Sequence, residues 1–449
     1  MLAIDQGAAG ATAIQACSNI SAVHTVMRYT WSKRMQHRLH VLVFVASASV
    51  ACGRSGFTEL DRQGGGDEDD AGSQILDWRL MNAEQWPLVR AELVAAAAKG
   101  VSGPPTATQI GDDLMALGDY KFTGNVMGVN GRIYGIPGDA SRAIEIDPAT
   151  SPASVKAVGP VFTMGGGRWL GGVLAANGII YGIPYNEPTL LRIDTISEPV
   201  FIDTVPVNIP EAGTIRRWGF STRAFDGKIY AAPCTGNTVL VVDPETDPPT
   251  VSEIKNIDLE GVPENSAYLW LGSVIAPATG LIYAVPYAAK RVLRIDPVAG
   301  TAVSIGPNLS NFGDNKWCGA ALGADGVILA APDGAKRILR IDPATEEITV
   351  LTTSATGGDG ATFAPSGVLF LIPWSATVVR TYDVQTGVTG TVSVSPLSTL
   401  DLNWASGRLA PNGHIYATPT RAPRVLDIDT RSVGTLPLDV LLGGFVNIY

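Results

Sequence analysis

"GLIYAVPYAAKRVLRIDPVAG", Gly280 to Gly300, decides the fold, because the chain says it seven times. The opening glycines are Gly131, Gly178, Gly227, Gly280, Gly326, Gly367 and Gly413. Six residues after each comes a proline: Pro137, Pro184, Pro233, Pro286, Pro332, Pro373 and Pro419. Ten residues beyond each proline stands an aspartate: Asp147, Asp194, Asp243, Asp296, Asp342, Asp383 and Asp429. Three residues before each proline is a large apolar side chain, tyrosine in five copies and Leu329 or Phe370 in the others. The interval between copies varies from 41 to 53 residues, so length variation is confined to one connection.

Each copy reads as four short strands. The first is apolar, as in "RWLGGVLAANG", and ends at a hairpin turn. Asn-Gly or Asp-Gly at Asn130, Asn177, Asp226, Asp325 and Asn412 marks that turn. The second strand is "IYAxP", whose proline lacks an N–H and belongs at the strand's end. The third is "VLRID", closed by a type I turn with aspartate first and proline second. The fourth is weaker, as in "TAVSIG". Four antiparallel strands in such a period describe one blade. The expectation is an all-β, seven-bladed β-propeller. "TATQIGDDL", Thr106 to Leu114, resembles a fourth strand and precedes the first full copy, so it is expected to join the last blade and unite the chain ends. The C-terminal "LLGGFVNIY" echoes a first strand; it is expected to pair in the closing blade or to start an eighth.

The phrase "IYAxP…VLxIDPxT" resembles repeats of bacterial YVTN-type and streptogramin-lyase-like propellers. It is also similar to bacterial and algal repeat proteins that carry "KWxGGVLAxNGKIYxxPY". The resemblance spans the repeat region but rests on fold-forming residues, so it implies a propeller and not an activity. Streptogramin-inactivating lyases rely on histidine, and the repeat region here holds one, His414. Gluconolactonase-like propellers hold a metal with carboxylates and Asn; Asn125, Asp314, Asp359 and Asn403 lie near inner strands but form no ligand motif. No metal and no cofactor is expected.

Four segments are expected. Residues 1–52 form a leader and lipoprotein-type signal: Arg38, an apolar run from Val41 to Ala51 too short to span a membrane, and then Cys52, the lipidation candidate. Ser49 departs from that motif, which usually has leucine there. Residues 53–75 are acidic and glycine-rich, a flexible tether. Residues 76–100 contain a helix capped by Asn82, expected to pack outside the propeller through Leu88, Leu93 and Val94. Residues 101–449 form the propeller. These readings imply a secreted, envelope-anchored protein, touching the membrane through a lipid only and otherwise monomeric. Cys234 and Cys318 lack metal-ligand spacing and read as packing residues. The net charge of −10 argues against nucleic-acid binding, which needs clustered positive charge.

The repeated aspartate and tyrosine read as turn and core marks. The departures between copies carry the functional expectation. At the start of the first strand stand Lys121-Phe122, Arg168-Trp169, Arg217-Trp218, Leu269-Trp270, Lys316-Trp317 and Asn403-Trp404, with Gly357-Gly358 in the sixth copy. Propeller topology puts these on the same face as the loop after the second strand, which carries Tyr185, Tyr287, Lys290, Arg291, Trp374, Arg421 and Arg424. Two readings stand: the tryptophans wedge between blades and the basic groups are solvated, or the ring of aromatic and basic groups takes a small-molecule, glycan or protein ligand. The alternatives are a lyase or lactonase-like hydrolase at the channel mouth, or a scaffold without a small-molecule site.

Overall fold

The computed structural model describes residues 76–80, 82–208, 216–257, 268–354, 358–396 and 401–446. All belong to one compact unit, Ile75–Tyr449. The leader, Cys52 and the tether lie outside the described residues.

The fold is all-β, built of repeated four-stranded antiparallel sheets, with two short α-helices among the described residues. The first five copies each form one sheet whose strands pair in chain order from inner to outer. In the fourth copy these are Trp270–Ile275, Ile282–Pro286, Val292–Asp296 and Thr301–Ile305. The sixth and seventh copies share one eight-stranded sheet. Its link is the strand Thr106–Ile110, which pairs antiparallel with Val425–Asp429 of the seventh copy from Thr106↔Asp429 to Ile110↔Val425. On its other side it touches the sixth copy's outer strand in parallel, at Ala107↔Val394 and Thr108↔Ser395. The segment read as a displaced fourth strand thus completes the seventh copy and joins the two ends of the repeat.

The repeated marks act locally. Oδ1 of all seven aspartates accepts the N–H of the residue two places on, at 2.9–3.1 Å, which closes the turn after the third strand, and in the first six copies that turn leads into the fourth. Tyr134, Tyr181, Tyr230, Tyr283 and Tyr416 are buried in the core. Each inner strand also carries one extra residue near its start; in the fourth copy Trp270 pairs with Pro286 and Ser273 with Ala284. That bulge needs a left-handed backbone at Gly272, with φ of 104°. A Cβ there would sit 2.8 Å from the Cα of Gly319 on the next copy, so glycine lets the inner strands meet.

The hairpin end of the ring, where first strands turn into second strands, is covered by both ends of the described chain. Helix α1, Trp86–Ala98, lies against it and Arg90 Nε donates to Ala324 O at 2.9 Å. Its buried residues are Val89 and Ala96. Of the three expected contacts, Leu93 packs against the core on the same face as Val89 and Ala96, Leu88 is half-buried, and Val94 is 52% exposed, so the seam is corrected at Val94. Asn82 caps the turn before the helix through bonds to Glu84 N and Gln85 N.

The C-terminal expectation is corrected too. From Leu438 to Val446 the chain forms neither a closing strand nor an eighth sheet; Leu438–Leu442 is a helix, α2, started after Pro437 and stopped at Gly443. Val440, Leu441 and Leu442 are buried, and Phe445 packs on Trp86 and Phe225 at ring-centroid distances of 5.6 and 6.1 Å. The apolar pattern that suggested a strand is spent on covering the ring.

Candidate functional site

The opposite end, the mouth, is built by the start of each inner strand and the loop after each second strand. One backbone device recurs. The residue before each tryptophan donates its N–H to the loop of the preceding copy and accepts an N–H from the loop of its own. Leu269 N donates to Cys234 O at 2.9 Å, and Leu269 O accepts Tyr287 N at 2.9 Å. Lys316 N then donates to Tyr287 O at 3.0 Å, and Lys316 O accepts Asp333 N at 2.9 Å. The chain of bonds continues unbroken in the other direction through Arg217, Tyr185, Arg168, Gly138, Lys121, Thr420 and Asn403 to Trp374. From Trp374 round to Asp333 the mouth is rimmed by backbone hydrogen bonds that pass from copy to copy.

This device accounts for the side chains expected to bind a ligand. Trp169, Trp218, Trp270, Trp317 and Trp404 are all buried. Each indole Nε1 donates across its sheet to a carbonyl where the third strand begins: Thr189, Thr238, Arg291, Arg337 and Arg424, at 2.7–3.0 Å. Phe122 fills the same place in the first copy and is fully buried. Each indole ties the first strand of its sheet to the third, and the burial of these rings does not fit a ligand-facing role.

The basic partners are also packed. Arg168 is buried between Phe162 and Trp169 and donates to the carbonyls of Thr163, Gly165 and Ala140. Lys316 Nζ donates to Tyr287 O at 2.8 Å, doubling the bond made by its own N–H. Arg217 is half-buried, stacked 4.6 Å from the Trp218 ring and paired with Glu253 at 2.8 Å. Burial lowers the ammonium pKa of both Lys121 and Lys316 to about 8. Arg168 and Lys316 are buried and Arg217 is half-buried against Trp218, so these three candidate ligand residues brace the rim.

What the mouth presents lies one residue upstream. There the backbone is left-handed in every described copy: Tyr120, Gly167, Arg216, Tyr268, Asn315 and Leu402 have φ between 43° and 62°. Such a turn costs non-glycine residues conformational energy and swings the side chain away from the sheet. Arg216 is exposed and lies over the Tyr268 ring at 5.3 Å. Tyr268, half-buried, stacks on Tyr185 at 6.3 Å and meets Tyr287 edge-on at 6.1 Å. Tyr120 is 38% exposed under Arg421 at 4.3 Å, and Arg421 pairs with Asp119 at 3.1 Å. Tyr185 is buried, which pushes its hydroxyl pKa well up. Tyr287 is half-buried and its hydroxyl donates to Asp333 Oδ2 at 3.2 Å; burial raises the Asp333 pKa. Trp374 is half-buried in the loop of the sixth copy.

Beneath these groups lies an apolar cluster separate from the main core. It holds Tyr185, Phe220, Cys234, Leu271 and Cys318, with Leu170, Tyr268 and Tyr287 packed against it. Both cysteines are buried thiols outside any disulfide, as packing residues should be. The cue for the outward residues is present in the repeat. The column Tyr120, Gly167, Arg216, Tyr268, Asn315, Leu402 changes character from copy to copy, whereas its neighbours are basic or aromatic for structural reasons.

The other candidates lie elsewhere. His414 is on the second strand of the seventh copy, beside the hairpin turn and one strand removed from the inner strand. Its Nδ1 is 2.7 Å from Asp427 Oδ1, a bond that raises its pKa. Asn125 donates to Tyr416 O and accepts from Ser406 Oγ, tying the first copy to the seventh. Among the described residues no cluster of His, Cys, Asp or Glu has the arrangement of a metal site, and no helix is long and apolar enough to cross a membrane.

No known family pattern and no curated protein matches the chain. Solved structures do. Virginiamycin B lyase from Staphylococcus aureus superposes with a TM-score of 0.56 at 12% identity, over 72% of this chain and 99% of that one. A streptogramin B lyase gives 0.54 at 14% identity, over 72% and 96%. The chain has the streptogramin-lyase-like propeller fold. The extracellular domain of a putative hybrid two-component system from Bacteroides thetaiotaomicron gives 0.52 at 14% identity, over 72% of this chain and 42% of that one. Identities this low establish a shared architecture.

Two outcomes follow from the rim. Trp270→Phe leaves Arg291 O without its indole donor and is expected to lower unfolding free energy by about 1–3 kcal/mol, against about 3–5 for Trp270→Ala, measured by urea denaturation. Lys316 has a folded-state pKa of about 8, below its ordinary 10.5. The unfolded chain therefore keeps its proton through a range in which the folded chain has lost it. Stability from this group rises with pH between about 8 and 10.5. Denaturation midpoints at pH 7.5 and pH 10 are expected to show the native protein gaining on Lys316→Met as pH rises.

Proposed function

We propose that the chain is a seven-bladed propeller of the cell envelope that binds a glycan, small molecule or protein through the mouth of its channel. The seven copies support the blade number, as does the eight-stranded sheet, whose two four-stranded halves meet only at the short parallel bridge. The observation that carries the binding reading is an asymmetry between the two ends. Helices α1 and α2 cover the hairpin end, whereas the mouth carries Arg216, Tyr268, Tyr287, Tyr120 and Arg421 on strained or loop backbone. Aromatic faces beside guanidinium groups favour sugar-like or anionic ligands. On this reading the ligand-facing groups are Arg216, Tyr268 and Tyr120 rather than the buried tryptophans.

An envelope location is supported by the extracellular domains of sensor proteins that share the fold. It is supported independently by the short apolar run ending at Cys52, which we read as a lipid attachment site and outer-membrane anchor.

A panel of neutral and sulfated glycans on an array, probed with the purified chain, tests the mouth. The double variant Arg216→Ala, Tyr268→Ala is expected to lose about tenfold in affinity for any glycan retained while keeping the native circular-dichroism spectrum at the assay temperature. Equal retention by the native protein and the variant would remove the mouth as the site. Growth with radiolabelled fatty acid is expected to label the native protein and not Cys52→Ser; an unlabelled native protein ends the lipoprotein reading.

A further inference from the structure

The rim position at the start of the inner strand holds a lysine twice, Lys121 in the first copy and Lys316 in the fifth. The segments that lead to them align without a gap: "DLMALGDYKF", Asp113 to Phe122, and "NLSNFGDNKW", Asn308 to Trp317. Each makes one 3-10 turn, Met115–Leu117 in the first case and Ser310–Phe312 in the second. Both lysines are buried, with relative exposures of 0% and 1%. They differ in what meets the ammonium. Lys316 Nζ donates to Tyr287 O at 2.8 Å. Lys121 Nζ meets the thioether sulfur of Met115 at 3.6 Å, and among the described residues that sulfur is its one hydrogen-bond acceptor.

A thioether is a weak acceptor, so an ammonium buried against one recovers little of its desolvation cost. The nearby carboxylates have other partners: Asp119 pairs with Arg421 at 3.1 Å, and Asp113 Oδ1 accepts Met115 N at 2.8 Å. Burial lowers the Lys121 pKa to about 8 against the through-space pull of Asp119 and Asp113. Met115 itself is 44% exposed, so an oxidant in solvent reaches its sulfur, whereas Met127 is 2% exposed in the core. The segment also spans the closing joint of the ring. Leu114 N donates to Pro423 O of the seventh copy at 2.8 Å, and Leu117 O accepts Ser141 N of the first at 2.9 Å.

We propose that Met115 is a site of reversible oxidation, and that its sulfoxide oxygen accepts a hydrogen bond from the Lys121 ammonium and so fastens the joint between the seventh and first copies. The oxidant is a peroxide. The sulfur lone pair attacks one peroxide oxygen, and the O–O bond breaks as the S–O bond forms. Sulfur gives up two electrons and the peroxide takes them. The departing hydroxide removes the proton left on the transferred oxygen, which yields sulfoxide and water. Lys121 keeps its own proton and exchanges a thioether contact for a charge-assisted bond. The three rotatable bonds of Met115 let the sulfur draw back to make room for the added oxygen. Sulfoxide formation ordinarily disrupts packing, and methionine sulfoxide reductases reverse it. Here the polar product meets a buried cation that lacks a strong acceptor. The inference concerns the joint and does not depend on a ligand at the mouth.

Treatment of the folded full chain with hydrogen peroxide, followed by peptide mass spectrometry, is expected to convert Met115 to its sulfoxide and to leave Met127 reduced. A Met115 that stays reduced while Met164, 60% exposed, is converted overturns the proposal. Urea denaturation then reads the new bond. Oxidation is expected to move the native chain's midpoint upward by about 0.3 M relative to its effect on Met115→Leu, which accounts for the other methionines. In Lys121→Leu, oxidation of Met115 is expected to leave the midpoint unchanged or lower it; leucine already serves this rim position in the fourth copy, as Leu269. The same shift with and without Lys121 overturns the proposal. Should Lys121→Leu not fold, Met115→Gln, which offers an amide oxygen in place of the sulfoxide oxygen, is expected to raise the midpoint of the unoxidised chain. A Met115→Gln midpoint at or below the native one overturns the proposal.

Discussion

A run of backbone hydrogen bonds around the channel mouth is the constraint on which the rest depends. Each link joins the residue before an inner-strand tryptophan to a loop of its own copy and to a loop of the copy before. A bond that must be made from copy to copy demands the same geometry each time. The inner strand must be bulged at one place, the second strand must end at the proline, and the loop after it must reach back to the rim. The tryptophan holds the third strand against this arrangement through its single donor. Buried backbone groups left without partners are costly, so the ring is held together by satisfied polar groups as much as by apolar burial.

That constraint explains why side chains with functional chemistry proved structural. Arginine and lysine beside tryptophan look like a ligand platform when read along the chain. In space the residue that carries the rim bonds is enclosed by two loops, and its side chain has no exit. Arg168 and Lys316 consequently donate to loop carbonyls, and these hydrogen bonds brace the rim. The residue just upstream is turned outward by its left-handed backbone and is the one that meets solvent. A shift of one position separates a brace from a contact.

The two ends of the ring are thus unequal. At the hairpin end, α1 and α2 bury Val89, Ala96, Val440 and Leu441 against the sheets and Phe445 closes on Trp86. The C-terminal sequence "LLGGFV" has the composition of an inner strand, but by that point the ring is already closed by Thr106–Ile110. The segment satisfies its backbone as a short helix and spends its apolar side chains as a cover.

By itself the sequence determined the architecture: all-β sheets of four strands, the turn-forming aspartates, the buried tyrosine column and the return of Thr106–Ile110 to the last copy. These were legible because each mark works through local geometry, repeated at constant spacing. The outward residues of the mouth, the covering of the hairpin end and the different acceptors met by Lys121 and Lys316 were decided only by the tertiary structure. Whether a residue at a fixed repeat position faces loop, channel or solvent depends on the neighbouring copy and on a bulge of one residue. Arg216 over Tyr268, in successive copies, cannot be read from spacing, because their proximity exists only once the ring has closed.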